Sequence, residues 1–219
     1  MASNRIVAFV DANVLANGVL AFNLIRELRA EMPLERVKEE VAATWTKFEA
    51  QKWAHLLFSL LRQGKLRGQA MATCHLALLE VVRVMAEEYR GKQLYRLHVP
   101  FRRWLPLFRR TDLTQRDYEE IRTGTELFLR SLHVGGARRL RMCNRYSIRE
   151  AMALVTERSC DARDAIIVAS GIQTHSPFLI TEDDRLKRQL KNHPSIRAVT
   201  THGFLCERKL LQEAETLSL

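Results

Sequence analysis

Short apolar runs without polar alternation occur near both ends of the chain. Residues 5–10 (RIVAFV) and 177–181 (PFLIT) predict buried strands, and residues 196–200 predict a third. Helices are predicted beside these strands, over residues 13–31, 162–173, 183–191 and 203–215. Strands that alternate with helices predict an α/β protein, a three-layer α/β/α sandwich around a central, mostly parallel sheet.

The middle of the chain follows a helical period instead. The predicted helices there cover residues 35–63, 69–89, 114–132 and 147–158. Thr114 and Asp117 have the spacing of a capping box at the start of the predicted helix at 114–132. In the predicted helix at 35–63, one face carries Val37, Val41, Trp45 and Phe48. This stripe predicts core packing or a self-association face.

Positive charge is concentrated in one segment. Residues 89–149 hold 15 Lys and Arg against five Asp and Glu, which accounts for the whole net charge of +10. We interpret residues 90–145, approximately, as a basic, mainly helical insertion within a single domain that covers residues 1–219. Such a balance favours a polyanionic partner, nucleic acid first and an acidic membrane surface second. A basic surface kept for solubility is the simpler alternative.

Two arginine clusters in this segment are candidate RNA contacts. One lies in PFRRWLPLFRRTD at 100–112, where arginines alternate with aromatic residues, and the other follows Gly135-Gly136, a predicted turn. The candidate RNA-binding residues are Arg102, Arg103, Arg109, Arg110, Arg138, Arg139 and Arg141. Arginine contacts phosphates and an exposed aromatic ring stacks on an unpaired base. The alternative is that the aromatic rings are buried and only the arginines face water.

The placing of the cysteines and histidines, and the length of the apolar runs, argue against several other classes of protein. None of the four cysteines forms a CxxC pair and the seven histidines are scattered, which argues against a structural zinc site and a disulfide framework. The apolar run near the N-terminus is too short for a secretory signal, and no run of about 18 apolar residues predicts a membrane span. We therefore expect a cytoplasmic protein without a membrane partner.

Two aspartates follow predicted strands. Asp11 comes directly after the strand at 5–10, and Asp183 comes two residues after the strand at 177–181. Because parallel strands end at the same edge of a sheet, both should lie at its carboxyl edge, where open α/β folds place their sites. Helices also begin at this edge, so either aspartate taken alone could be a helix cap.

Two further acids lie in apolar helices. Glu80 is the only acid between residues 68 and 86, and an ionised carboxylate there is costly unless it is paired or binds a cation. Arg83, three residues later, could be its partner in a structural salt bridge. Asp164 directly precedes Ala-Ile-Ile-Val-Ala, and Asp161 is the better candidate for the cap of that helix.

Acids that meet at one sheet edge repel one another unless a cation neutralises them. Oxygen ligands without cysteine or histidine favour Mg²⁺ or Mn²⁺ over zinc. Such a site beside a basic surface is suited to phosphodiester hydrolysis, because the metal activates water and stabilises the leaving oxygen.

These motifs resemble those of the PIN-domain nucleases, especially the prokaryotic toxins of toxin–antitoxin pairs. The resemblance depends on VDANVL (10–15), on Glu80 in a middle helix, on DARDAIIVAS (161–170) and on LITEDD (179–184). It covers approximately residues 4–90 and 145–205, and the match is poor in the basic segment.

The resemblance implies a PIN-like fold and an Mg²⁺- or Mn²⁺-dependent endoribonuclease. It maps the catalytic and metal-binding acids to Asp11, Glu80, Asp164 and Asp183. Supporting roles fall to Asn13, Thr181 and Asp161, although Asn13 and Thr181 could be ordinary turn and cap residues, and Asp184 could join the site.

The partners that the resemblance implies are RNA, a cognate antitoxin protein and a second copy of the chain in a homodimer. The Trp45/Phe48/Trp53 helix could supply a dimer interface or belong to the core. Two alternative functions remain: a catalytically degenerate PIN-fold RNA-binding protein, and a DNA-directed nuclease that uses the same site.

Overall fold

The fold is built on a central parallel sheet. The computed structural model describes residues 6–66, 70–100, 103–108, 111–134 and 137–216. Its strands are β1 (Ile6–Val10), β2 (Ala70–Thr73), β3 (His133–Val134), β4 (Ala137–Arg138), β5 (Leu140–Met142), β6 (Phe178–Ile180) and β7 (Arg197–Val199). Five of them form one sheet in the order β5-β2-β1-β6-β7, with every neighbouring pair parallel. β3 and β4 pair as a separate antiparallel hairpin.

Helices connect these strands and cover both faces of the sheet. They are α1 (Ala12–Glu31), α2 (Leu34–Trp45), α3 (Glu49–Arg62), α4 (His75–Arg96), α5 (Trp104–Phe108), α6 (Gln115–Ser131), α7 (Ile148–Arg158), α8 (Ala162–Gln173), α9 (Asp184–Gln189), α10 (Thr201–Glu207) and α11 (Leu211–Glu215). α1 packs on α3, α4 and α6, while α7 packs on α8. This arrangement confirms the predicted three-layer α/β/α sandwich.

β1 lies at the centre of the sheet because its sequence can be buried on both faces. Phe9 and Val10 are fully buried, and β1 pairs with β2 on one side and β6 on the other. Phe58 of α3 and Phe128 of α6 extend the core above it, with their rings edge to face at 5.0 Å. The carboxyl end of β1 is thereby held rigidly between two neighbouring strands.

The apolar stripe on α2 is mostly core. Val37 and Val41 are buried against Ile25 in a small second cluster, with Trp45 packed beside them. Trp53 of α3 is also buried, whereas Phe48 is exposed. The homodimer stays a prediction.

Several predicted elements are confirmed. β1, β6 and β7 lie within the three predicted strands, and α8 matches the predicted helix at 162–173. α6 begins with the predicted capping box, in which Thr114 and Asp117 bond each other's backbone N–H groups. The predicted turn at Gly135-Gly136 lies outside the described residues.

Other boundaries were predicted wrongly. Residues 35–63 form two helices, α2 and α3, and residues 203–215 are divided between α10 and α11. The first part of the predicted helix at 69–89 is in fact the strand β2, and the helix α4 begins only at His75. The sequence of β2, Ala-Met-Ala-Thr, favours helix locally. Pairing with β1 and β5 on both sides overrides that preference. β5, at the end of the basic segment, is itself an edge strand of the central sheet.

Within the described part of the chain, no helix is long and apolar enough to cross a membrane.

Core packing around α1 gives a first prediction. A Cβ added at Gly18 would lie 2.5 Å from the ring of Phe58, so Gly18→Ala should destabilise the protein by about 1–3 kcal/mol in urea unfolding. Gly91 of α4 is the matched control, because a Cβ there meets Trp104 and Phe108 at ordinary contact distances of 3.5 and 3.6 Å. Gly91→Ala should stabilise by about 0.5–1 kcal/mol. Equal effects of the two substitutions would contradict this description of the core.

Candidate functional site

The carboxyl ends of β1 and β6 are joined by a hydrogen-bond network whose centre, at Asp11 and Thr181, is buried. Thr181, which is fully buried, donates its hydroxyl to Asp11 Oδ2 at 2.7 Å. The hydroxyl oxygen of Thr181 in turn accepts from Asn13 Nδ2 and from the Asp183 backbone N–H, each at 3.1 Å. Asn13 Oδ1 accepts from the backbone N–H of Glu182 at 3.1 Å. Thr181, itself bonded by Asn13, therefore fixes the position of the Asp11 side chain.

Asp11 is a buried carboxylate that also caps α1. Its side chain is 5% exposed, and its Oδ1 accepts the backbone N–H of Ala12 at 2.7 Å. Burial raises the pKa of Asp11 above its ordinary value, and the nearby charges of Asp183 and Glu80 raise it further. The hydrogen bonds from Thr181 and Ala12 oppose that rise without cancelling it.

Two other aspartates at this edge are helix caps as well. Asp161 Oδ1 accepts the backbone N–H groups of Arg163 and Asp164 at 2.9 Å, at the start of α8. Asp183 Oδ1 accepts those of Arg185 and Leu186, at 2.7 and 3.0 Å, at the start of α9. Each cap uses only Oδ1, and within the described residues the Oδ2 atoms accept no hydrogen bond. Capping therefore leaves one oxygen of each carboxylate for another group.

Asp164 is the candidate acid whose charge is least stabilised by hydrogen bonds or ion pairs within the described residues. It is partly buried in the first turn of α8, and its side chain forms no hydrogen bond or ion pair within the described part of the chain. Burial raises its pKa to about 6, with further contributions from the charges of Asp161, Asp11 and Asp183. Asp11, Asp164 and Asp183 thus share one electrostatic environment although they come from distant parts of the chain.

Glu80 reaches the same edge from α4 but is already paired. Arg83 Nε lies 2.8 Å from Glu80 Oε2, which confirms the salt bridge expected at this spacing. Arg163 of α8 lies 2.6 Å from Glu80 Oε1, a partner that sequence spacing did not predict. Burial acts to raise the pKa of Glu80, but the hydrogen bonds from the two arginines prevail and hold it below its ordinary value.

Asp184 and Glu182 have other partners. Asp184 is exposed and pairs with Lys187 at 2.7 Å, and this contact lowers the pKa of Asp184. Glu182 Oε1 accepts the backbone N–H of Thr201 at 2.9 Å, at the start of α10. Both side chains therefore stabilise local structure.

The donor set fits a hard cation in its chemistry. It consists of carboxylate oxygens with uncompensated negative charge, which suits Mg²⁺ or Mn²⁺. Among the described residues, however, no three His, Cys, Asp or Glu side chains are grouped closely enough to hold a metal ion. Glu80 would have to leave at least one arginine to join such a group.

Only some of the arginines that were predicted to bind RNA lie within the described residues. Arg102, Arg109 and Arg110 lie outside the described residues. Arg103 is exposed. Trp104, between the two arginine pairs, is partly buried, and its Nε1 donates to the carbonyl of Val99 at 2.8 Å.

The second arginine cluster lies along β4 and β5. Arg138 and Arg139 precede β5 and therefore lie toward the amino-terminal edge of the sheet, opposite the acids. Arg139 is partly buried near Gly64, and its Nε has no hydrogen-bond partner among the residues that the structure describes. Arg141 is within β5 and partly buried.

Sequence reasoning missed Arg163 as a residue of the site. It lies between Asp161 and Asp164 in the motif Asp-Ala-Arg-Asp, so its position beside two candidate acids was the available signal. Its partner Glu80 is 83 residues away along the chain, and only the packing of α4 against α8 brings them together.

No family model, no curated protein and no solved structure matches this chain. The resemblance to PIN-domain nucleases therefore stays a prediction. The functional argument depends on the geometry of the acid edge, by which we mean the carboxyl edge of the sheet with Asp11, Glu80, Asp164 and Asp183.

The raised pKa of Asp164 predicts a pH-dependent gain in stability on its neutralisation. The pKa of Asp164 is about 6 in the folded protein, against an ordinary 3.8. The charge of Asp164 therefore destabilises the folded state to its full extent above about pH 6, and this cost is absent below about pH 3.8. In EDTA at about pH 7.5, Asp164→Asn should stabilise the protein by roughly 0.5–1 kcal/mol, after solvent screening and the lost helix-dipole interaction are allowed for.

Urea unfolding at about pH 7.5 and about pH 4 measures this effect, and the gain should shrink at the lower pH. Asp184→Asn is the matched control and should give no gain, because Lys187 holds the Asp184 pKa low. A destabilised Asp164→Asn protein at the higher pH would contradict the described environment.

Proposed function

We propose that the protein is a metal-dependent endoribonuclease that hydrolyses phosphodiester bonds of single-stranded or structured RNA. One observation carries the proposal: Asp11, Asp164 and Asp183 follow strands or begin a helix at the carboxyl edge of a parallel sheet, where burial and then the charges of Asp161, Asp11 and Asp183 raise the pKa of Asp164. Carboxylates that repel one another in this way bind a divalent cation favourably.

Asp11, Asp164 and Asp183 would hold Mg²⁺ or Mn²⁺, joined by Glu80 after it leaves its arginines. When bound, the cation supplies an activated water and polarises the phosphate. Thr181 keeps the Asp11 carboxylate in one orientation by donating to Oδ2. Asp161 and Asp183 fix the starts of α8 and α9, and Asp161 thereby sets the position of Asp164.

RNA is the proposed substrate because the chain carries a strong positive charge. The net charge of +10 lies within residues 89–149, and Arg145 and Arg149 are exposed just after β5, whose carboxyl end faces the acid edge. Basic residues near the site would contact the phosphate backbone. An acidic antitoxin protein is the partner class that we propose for the same surface, with the chain as the toxin.

A second candidate is a catalytically degenerate RNA-binding protein. The observation that favours it is the double pairing of Glu80 with Arg83 and Arg163, which satisfies this acid without a metal. RNA binding would then depend on the basic segment alone and would weaken steeply with salt.

Cleavage of labelled single-stranded RNA distinguishes the two candidates. The wild-type protein should cut in Mg²⁺ or Mn²⁺ and stop in EDTA, and Asp164→Asn should lower the rate by about 100-fold or more because the cation loses a ligand. Asp184→Asn removes a neighbouring charge that pairs with Lys187 and should keep the wild-type rate.

RNA binding without metal-stimulated cleavage would favour the degenerate protein. Equal rates for wild type and Asp164→Asn would remove that residue from the site. Parallel digests of single-stranded DNA and of duplexes test the DNA-directed alternative.

A further inference from the structure

We propose that Arg163 and Arg83 form a clasp that competes with the divalent cation for Glu80, and that an oxyanion of the phosphate class opens it. The term arginine clasp denotes these two guanidinium groups on the Glu80 carboxylate. The inference deepens the proposed function and rests on it, since it concerns how the acid edge acquires its cation and substrate together.

The clasp engages both oxygens of one carboxylate from two different helices. Arg163 Nη1 lies 2.6 Å from Glu80 Oε1, and Arg83 Nε lies 2.8 Å from Glu80 Oε2. The Glu80 side chain is only 16% exposed, whereas the side chains of Arg163 and Arg83 are 56% and 52% exposed. The carboxylate is therefore held from its solvent side by two cationic groups.

Cation binding and the closed clasp compete for the same carboxylate. A divalent ion that takes Glu80 as a ligand binds one of its oxygens, and each oxygen already accepts a charge-assisted hydrogen bond from an arginine. A bound cation would also be repelled by guanidinium groups on the same carboxylate. Removal of Arg163 should therefore raise the affinity of the acid edge for the cation.

The two arginines differ in what holds them after release. Arg83 also pairs with Glu87 at 2.6 Å, so it keeps a partner on its own helix. Arg163 pairs with Glu80 across the gap between α4 and α8, and it lies in the first turn of α8 beside Asp164. Arg163 is thus the residue whose release places an exposed cationic group at the acid edge.

A phosphate is the chemical group best suited to take Arg163 from Glu80. Guanidinium binds phosphate oxygens through two parallel hydrogen bonds, which match or exceed its contact with a single carboxylate oxygen. A phosphodiester that binds Arg163 would release Glu80 to the cation. Cation and phosphate binding should therefore strengthen each other, and by linkage the coupling is the same in both directions.

Calorimetric titration of the full chain with Mn²⁺ tests the clasp. Arg163→Gln should bind Mn²⁺ about three- to ten-fold more tightly than wild type, the range expected for loss of one partly exposed charge-assisted pair. Arg163→Lys, which keeps the charge, should stay within about twofold of wild type.

Arg185→Gln is the matched control for charge alone. Arg185 follows Asp183 at the same edge, but its side chain contacts the carbonyl of Ser159 and, among the described residues, no carboxylate. This variant should shift Mn²⁺ affinity by less than about twofold, because long-range attraction is screened by salt.

Sulfate serves as the probe for the oxyanion. At constant ionic strength, replacing chloride with sulfate should tighten Mn²⁺ binding to wild type severalfold and leave Mn²⁺ binding to Arg163→Gln unchanged.

To distinguish a polymer from a free oxyanion, the anisotropy of a labelled single-stranded oligonucleotide is measured with and without Ca²⁺. Tighter oligonucleotide binding in Ca²⁺, lost in Arg163→Gln, identifies the phosphodiester backbone as the opening group, whereas an effect of sulfate alone identifies a free oxyanion.

Three outcomes would overturn the clasp: Mn²⁺ affinity that is unchanged or lower in Arg163→Gln, an equal gain in Arg185→Gln, or no Mn²⁺ binding by either wild type or Arg163→Gln. The first two leave the proposed function untouched, because the RNA cleavage assay with Asp164→Asn does not depend on Arg163, whereas the third would count against the proposed cation site as well. Metal-dependent cleavage with unchanged Mn²⁺ affinity in Arg163→Gln would reject the clasp alone.

Discussion

The hydroxyl of Thr181 is the contact on which the acid edge depends. It donates to Asp11 at 2.7 Å and accepts from Asn13 and from the backbone of Asp183, so it connects the ends of β1 and β6. Thr73 makes a similar connection on the other side, from the end of β2 to the carbonyl of Val10. The bonds from Thr181 to Asp11 and from Thr73 to Val10 are buried, where a missing partner would cost about 1–3 kcal/mol, and the first of them fixes the orientation of the Asp11 carboxylate.

Helix capping and a cation site are compatible here. Asp11, Asp161 and Asp183 each bond a helix N-terminus through Oδ1, which stabilises negative charge through the N–H groups and the helix dipole. Such caps let several carboxylates approach one another without a metal. Asp164, which lacks a cap or an ion pair in the described chain, retains the repulsion that a cation would relieve.

The parts of the fold that follow local rules could be predicted from sequence. β1 and β6 are continuous apolar runs, and parallel pairing then requires Asp11 and Asp183 to share an edge. The pairing of Glu80 with Arg83 follows from helical spacing. By contrast, β2 is a strand only because β1 and β5 flank it, which its alanines do not reveal.

Contacts between distant segments account for the rest. Arg163 meets Glu80 through the packing of α4 on α8, a contact that neither motif contains alone. Arg138 and Arg139 were predicted only as RNA contacts that follow a turn. They precede β5, so the direction of that strand places them toward the edge opposite the acids. Strand direction could not be inferred while β5 itself was unrecognised.

The central claim is that repulsion among Asp11, Asp164 and Asp183 creates a cation site. The most direct test is thermal unfolding with increasing Mn²⁺, compared between wild type and Asp164→Asn. Wild type should gain stability with the concentration dependence of one bound ion, about 2.7 kcal/mol at a concentration of about 100 times Kd, and Asp164→Asn should lose most of that gain. An equal gain in both proteins, or none in wild type, would contradict the account.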